Sequence, residues 1–225
     1  MPSVSHIAAQ TLQRRILDGH YAAGATLPGQ RELSESLGIS RASLREAISM
    51  LEALGLLRAQ PGKGVFVTSG GQVAAADLPA GPNAMPPDAI FQMRYVIEPA
   101  SAALTAGRRS ADELAALQHC QAEMTRALDS GDLVGAADSD LRFHLALADF
   151  SGNPALAAIT RQFQPQLAYS LRLPFADRSH LWQPADEHAA ILAAVSAGNA
   201  AAARAAMARH LDSAAGRVGI RFSHP

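Results

Sequence analysis

Between Leu27 and Val67 the chain reads LPGQRELSESLGISRASLREAISMLEALGLLRAQPGKGVFV. Leu33 and Leu37 stand one helical turn apart, and Gly38 follows them, free to take the positive φ that ends a helix. Ser40 then precedes a second helical pattern, 41–54, as an N-cap whose side-chain oxygen can accept from the free amides of the first turn. Leu44, Ala47, Ile48, Leu51 and Leu54 repeat with the 3.6-residue period and form the apolar stripe of that helix. Two short apolar runs flank Pro61-Gly62-Lys63-Gly64, the pattern of a β-hairpin. Two helices joined at a tight corner and followed by a hairpin predict a winged helix-turn-helix.

Arg41 and Arg45 lie one turn apart on a face of the second helix away from its apolar stripe. A solvated surface accounts for most such pairs. These two, however, fall in the first turn and a half after a capped corner, the part of a recognition helix that meets base edges. Arg31 and Lys63, the only lysine in the chain, add cations that can reach the DNA backbone and minor groove. Ser40, Ser43 and Gly64 complete the expected DNA-contacting set. Residues 1–69 hold seven Lys or Arg against five Asp or Glu, whereas the remainder holds twelve against fifteen. The basic part of the chain is the part that carries the DNA-binding pattern, and its net +2 is small enough that local placement must do most of the work.

Beyond this motif, alanine dominates and aromatics make up 5%, which favours closely packed helices. The expected fold is mainly α: an N-terminal winged helix-turn-helix over 1–69, opened by a helix from Val4 to Asp18, then an all-α antiparallel bundle of about six helices over 88–218. Breakers divide the bundle into 88–106, 110–129, 132–150, 154–172, 178–197 and 200–217, with Pro184 in the first turn of the fifth helix. The Gly-, Ala- and Pro-rich stretch 70–87 reads as a linker, so the winged helix should have a core of its own, and the tail from Gly219 should be poorly ordered. A single cysteine, Cys120, excludes an internal disulfide. No run is long enough for a membrane span and no leader pattern opens the chain, so the expected location is cytoplasmic, without membrane association.

The run Leu27-Pro28, Arg31-Glu32-Leu33, Ile39-Ser40-Arg41, Leu44-Arg45-Glu46-Ala47, Leu54-Gly55-Leu56-Leu57 and Gly62-Lys63-Gly64-Val65-Phe66-Val67 resembles the GntR family of bacterial transcription regulators. Gly29-Gln30 stand where that family usually has Ser-Glu, which implies a weaker cap on the first helix of the motif. The resemblance implies a homodimer on a palindromic double-stranded DNA operator.

In the third bundle segment Asp140 and His144 are spaced i, i+4, which suits either a hydrogen-bonded pair or a shared metal ion. His188 and His210 lie on two other helices, and spacing cannot show whether they converge. The segments Arg94-Tyr-Val-Ile-Glu98, Asp140-Leu-Arg-Phe-His144, Ser151-Gly-Asn-Pro154, Glu187-His188 and Arg209-His210-Leu211 resemble the FCD ligand-binding domain of the FadR-like branch of that family, and six helices point to its VanR-type group. This resemblance implies that Asp140, His144, His188 and His210 bind a divalent metal, with Zn or Ni suited to three imidazoles and a carboxylate. It further implies a small carboxylate effector met by Arg94, with Asn153 nearby. For Arg94 the alternative is a surface ion pair with Glu98, and for Asn153 a plain turn role.

The function expected is ligand-controlled transcription regulation without catalysis. Two alternatives are a metal-dependent hydrolytic enzyme, since such a metal can activate water, and a metal sensor without an organic effector. The enzyme reading lacks a general-base motif and leaves residues 1–69 unexplained.

Overall fold

The computed structural model describes residues 3–68 and 85–224. The linker expected over 70–87 falls largely on residues outside that range. Helix α1 (Val4–Leu17) opens the chain, capped by Ser3, whose hydroxyl accepts from the His6 amide. Helix α2 (Gln30–Leu37) begins at Gly29 with no side-chain cap, and ends at Gly38 with φ of 65°. Helix α3 (Arg41–Ala53) starts at Ser40, whose side chain accepts from Ser43 N at 3.0 Å. The weak first cap and the strong second one follow from the difference between Gly29 and Ser40.

Strands β1 (Leu57–Gln60) and β2 (Gly64–Val67) pair antiparallel, with Leu57 opposite Val67 and Gln60 opposite Gly64. The 24–27 segment lies on the other side of β2, with Leu27 N donating to Val65 O at 2.8 Å and Val67 N to Ala25 O at 2.9 Å. This extra pairing occupies an edge of the hairpin that would otherwise be exposed.

The bundle contains α4 (Pro87–Arg108), α5 (Ala111–Asp129), α6 (Leu133–Phe150), α7 (Pro154–Gln162), α8 (Gln164–Arg172), α9 (Gln183–Ser196) and α10 (Ala200–Arg217). Two short 3₁₀ segments, Leu173–Ala176 and Arg178–His180, connect α8 to α9. The described residues thus form seven α-helices here where the sequence led us to expect about six. The single helix expected over 154–172 is broken at Phe163, the shared boundary of α7 and α8. Pro165, two residues further on, has no amide to donate and crowds the carbonyl four residues back. The count of six was the ground for the VanR-type assignment, and that ground is removed.

Alanines at the helix contacts let the bundle helices approach closely. Ala102 and Ala106 of α4, Phe143 and Leu147 of α6, Ile191 and Val195 of α9, and Ala203 and Met207 of α10 share one buried cluster. Among the described residues no helix is long and apolar enough to cross a membrane.

The expectation of an independent core for the winged helix is corrected by the structure. Leu12, Leu33, Leu44, Ile48, Leu51 and Val67 are in the same buried cluster as Met124, Leu128, Leu133, Val134 and Phe175 of the bundle. Helix α3 therefore has a second apolar face: Ala53 packs with Ile90, Phe91, Tyr169 and Leu173. The period-3.6 stripe read from the sequence describes only the inward face of that helix.

A second correction concerns the chain end. Ile220 is buried, Phe222 stacks on Phe91 with centroids 6.2 Å apart, and His224 lies flat on Tyr95 at 4.4 Å while pairing with Asp212 at 2.9 Å. Alternate apolar residues dock the segment after α10 back onto α4.

Candidate metal centre and nucleic-acid interface

Helix α6 presents Asp140 and His144 on one face, α9 presents His188 and α10 presents His210; all four are buried. The three histidines each offer one ligand atom, and these atoms lie within 4.8 Å of one another, an arrangement that could hold a metal ion. Their ring centroids are 4.9 to 5.3 Å apart. Asp140 Oδ1 stands 3.2 Å from His144 Nε2 and 3.3 Å from His188 Nε2. Asp140 Oδ1, the Nε2 atoms of His144, His188 and His210, and the Nδ1 atoms of His144 and His188 are buried and have no hydrogen-bond partner among the described residues. Unsatisfied buried donors and acceptors are rare and costly. The three histidines, with Asp140 Oδ1 beside two of them, are donors of the type a divalent ion takes, so the residues present fit such an ion.

Three residues around this cluster were missed by the sequence reading. Glu98 of α4 lies 2.7 Å from His144 Nδ1, and Glu187 of α9 lies 2.7 Å from His210 Nδ1. Arg217 in turn bonds both oxygens of Glu187, at 2.7 and 3.0 Å. Glu187 is next to His188 in sequence yet reaches the histidine of another helix, which no spacing rule could have shown. The remaining wall is apolar: Phe143 stacks on His188 with centroids 4.3 Å apart.

The electrostatics follow from this packing. Burial by itself would raise the Glu98 pKa, but the Arg94 guanidinium and His144 outweigh it and hold Glu98 well below the usual carboxylate range. Burial likewise works against ionised Asp140, yet the three histidines hold its pKa down. Burial pushes His188 well below its ordinary 6.5, and His210 below it also. For His144 burial is overcome by Glu98 and Asp140, and its pKa is raised.

Arg94, expected at the effector, is 1% exposed. Its Nε and Nη2 donate to Glu98 at 2.8 and 3.2 Å and its Nη1 to Ser170 Oγ at 3.3 Å. The ion pair with Glu98 that spacing allowed is therefore present, but in the interior. Asn153 is exposed, and its side-chain oxygen accepts from Ala155 N and Leu156 N as the cap of α7. That is the turn role, on the surface.

On the winged helix, Arg41 and Arg45 are exposed on α3, and Lys63 and Gly64 are exposed at the hairpin. Ser40 and Ser43 cap α3, their hydroxyls 2.9 Å apart. Arg31 pairs with Glu35 at 3.1 Å on the outer face of α2. The apolar face of α3 turns inward, so Arg41 and Arg45 are left to face solvent at its N-terminal end.

A winged helix-turn-helix joined to a helical bundle with an interior polar centre is the architecture of a one-component, DNA-binding transcription regulator. Residues 4–67 match the family model described as bacterial regulatory proteins, gntR family, and residues 89–213 match the FCD domain. The chain belongs to the GntR family of regulators and carries an FCD domain. It is 32% identical over 213 residues to the Uxu operon regulator of Haemophilus influenzae, covering 90% of this chain and 77% of that one. To the HTH-type transcriptional regulator LutR of Bacillus subtilis it is 30% identical over 207 residues, covering 87% of this chain and 92% of that one. Among solved structures, Streptococcus agalactiae GntR aligns over 93% of this chain and 98% of its own, with a TM-score of 0.50 and 28% identity. Escherichia coli McbR/YncC shares the fold, with a TM-score of 0.54 and 22% identity over 97% of this chain and 98% of its own. The families and relatives are transcription regulators, and the hydrolytic-enzyme alternative finds no support among them.

Proposed function

We propose that this regulator controls its operator through a small organic acid bound at a divalent metal in the bundle, with Asp140, His144, His188 and His210 as the protein ligands. The division of labour is a winged helix over 1–69, a linker over 70–87 and an effector domain over 88–218. The observation that carries the reading is the set of four unpartnered, buried donor atoms on α6, α9 and α10. Asp140 Oδ1 is 3.2 and 3.3 Å from its two histidine neighbours, and three imidazoles with one carboxylate suit Zn or a similar ion such as Ni.

The ion would act as a Lewis acid for an effector carboxylate in any coordination position that the four residues leave open. Glu98 is balanced by Arg94 and Glu187 by Arg217, so only Asp140 offsets a divalent charge and the centre keeps about one net positive charge, suited to an anion. Arg94 has five N–H donors and uses three on Glu98 and Ser170. The other two remain for the effector. Asn153 contributes by capping α7, the helix that follows α6.

Arg41 and Arg45 read the major groove, Ser40, Ser43, Arg31, Lys63 and Gly64 hold the backbone and wing, and a homodimer matches the two-fold symmetry of a palindromic operator. A regulator of this kind works in the cytoplasm, where its DNA is. The route from sensor to reader is support in itself: α6 carries Asp140 and His144, and its start is bonded to α1 of the winged helix.

The test uses the full chain, zinc, and a duplex selected by the wild-type protein from a random-sequence pool. His188→Ala and His210→Ala should each lose metal by elemental analysis, and duplex binding should cease to respond to effector acids. Full metal content in both variants would overturn the ligand assignment. A duplex affinity that follows zinc alone and ignores a panel of small carboxylates would favour the metal-sensor reading.

A further inference from the structure

Within the metal reading above, we propose that Glu98 and Glu187 are positioning residues for the site, each locked by its own arginine. The chain would then hold two of its three histidines through Arg–Glu–His relays and the third by aromatic stacking.

The two relays use the same three residue types from different elements, the second closing on its histidine with a directed hydrogen bond and the first with a close ion pair. In one, Arg94 and Glu98 of α4, a helix that supplies none of the four ligands, reach His144 of α6: Arg94 Nε to Glu98 Oε1 is 2.8 Å, Nη2 to Oε2 is 3.2 Å, and Glu98 Oε2 to His144 Nδ1 is 2.7 Å. In the other, Arg217 of α10 grips Glu187 of α9 at 2.7 and 3.0 Å, and Glu187 Oε2 meets His210 Nδ1 at 2.7 Å. Gln183 also accepts from Arg217 Nη1 at 3.2 Å, fixing the guanidinium from a second side.

A carboxylate can only accept, so the proton of a neutral imidazole beside it sits on Nδ1, and Nε2 is left with its lone pair facing the centre. Both of those Nε2 atoms are among the orphaned atoms of the cluster. The carboxylate also makes the ring a better donor to an ion, while the arginine removes the cost of a lone buried negative charge. Glu187 crosses from α9 to α10, so this relay ties together the two helices that bring His188 and His210.

His188 is held differently. Among the described residues no carboxylate stands against its Nδ1 as Glu98 does against His144 Nδ1 at 2.7 Å, and its ring lies on Phe143 at 4.3 Å with planes 19° apart. The three imidazoles are therefore unequal donors, and the relays set the strength of two of them.

The experiment titrates zinc into the full chain against a chromophoric chelator and records the visible absorption of the cobalt-loaded protein. Outer-shell partners of metal-bound histidines are typically worth about 10–100-fold in affinity. Glu187→Gln, at a partly exposed position, should weaken zinc binding by about that factor, shift the cobalt ligand-field bands, and leave helical content by circular dichroism unchanged. Arg217→Met should do the same to a smaller degree. Glu98→Gln should repeat the effect on His144, and Glu187→Gln decides the question alone if the interior variant does not fold. Wild-type zinc affinity and an unshifted cobalt spectrum in Glu187→Gln would overturn the relays and leave the four ligands standing. Wild-type protein that takes up neither ion would overturn the metal reading, and the relays with it.

Discussion

Gln13 and Asp132 are 119 residues apart in sequence and are joined by a 2.9 Å hydrogen bond from Gln13 Nε2 to Asp132 Oδ1. Gln13 is on α1, 3% exposed, and its Oε1 also accepts from the Val134 amide at 3.0 Å. Asp132 caps α6 by accepting from Gly135 N at 2.9 Å, and takes a further bond from Gln10 Nε2 at 3.0 Å. A single glutamine thus ties the first helix of the winged part to the first turn of the helix that carries Asp140 and His144.

Gln13→Leu keeps the volume and removes both bonds, leaving the buried Val134 amide unpaired. A loss of about 1–3 kcal/mol in stability is expected. Urea unfolding checks it, and an unchanged midpoint and slope would show that water or another group takes over the amide.

Gly55 closes α3 with φ of 64°, and a Cβ there would meet Ala176 Cβ at 2.8 Å. Gly55→Ala should cost about 1–2 kcal/mol for the left-handed backbone and about 1–3 kcal/mol for overpacking against the 3₁₀ segment. Thermal denaturation should show a lowered midpoint, with Gly107→Ala, inside α4 and meeting open space, as the mild control.

Arg41→Ala and Arg45→Ala should each cost about 1–3 kcal/mol of specific duplex binding without altering the fold, because both side chains are exposed on α3. Lys63→Ala should weaken binding to all sequences and reduce the salt slope by about one. Fluorescence anisotropy at several salt concentrations separates the two effects. Wild-type affinity in both arginine variants would remove α3 from the groove.

Zinc affinity should rise as pH is raised above about 6.5. Burial depresses the pKa values of His188 and His210, whereas Glu98 and Asp140 raise that of His144, so His144 is the ligand at which protons compete most strongly with the ion. For the metal-free protein the signs are opposed. The stability from His144 is fully present below its ordinary 6.5 and is lost as pH climbs through its raised folded value, whereas that from His188 and His210 is lost as pH falls below 6.5. Calorimetric zinc titrations in buffers of different ionisation enthalpy should report net proton release that grows as pH is lowered towards about 6. A heat independent of buffer at every pH would overturn proton competition at His144.

The winged helix was legible in the sequence because its determinants are local. Ser40 as a cap, Gly38 at positive φ, the Leu44 to Leu54 stripe and the turn at Lys63 act within a few residues of themselves, and each reappears in place. Most helix boundaries of the bundle were legible for the same reason. The expectation of one helix over 154–172 took no account of Pro165, although its steric effect is just as local.

The metal-type cluster was legible only in part. Asp140 and His144 share a face by spacing alone, whereas the approach of His188 and His210 depends on how α6, α9 and α10 cross, which no residue on any one helix encodes by itself. Glu98 and Glu187 were illegible for the same reason, since each meets its histidine across a helix boundary, and Arg217 of α10 reaches Glu187 of α9 in the same way.

What the sequence determined by itself was therefore the winged helix-turn-helix, most of the bundle helices and the family. What only the tertiary structure decided was long-range: the seating of the winged helix on the bundle through Gln13 and Ala53, the return of Phe222 and His224 onto α4, and the burial of Arg94 on Glu98. Local structure is fixed by sterics and capping over a turn or two, but burial and ion pairing depend on which surfaces meet, and that is settled by the packing of the whole chain at once.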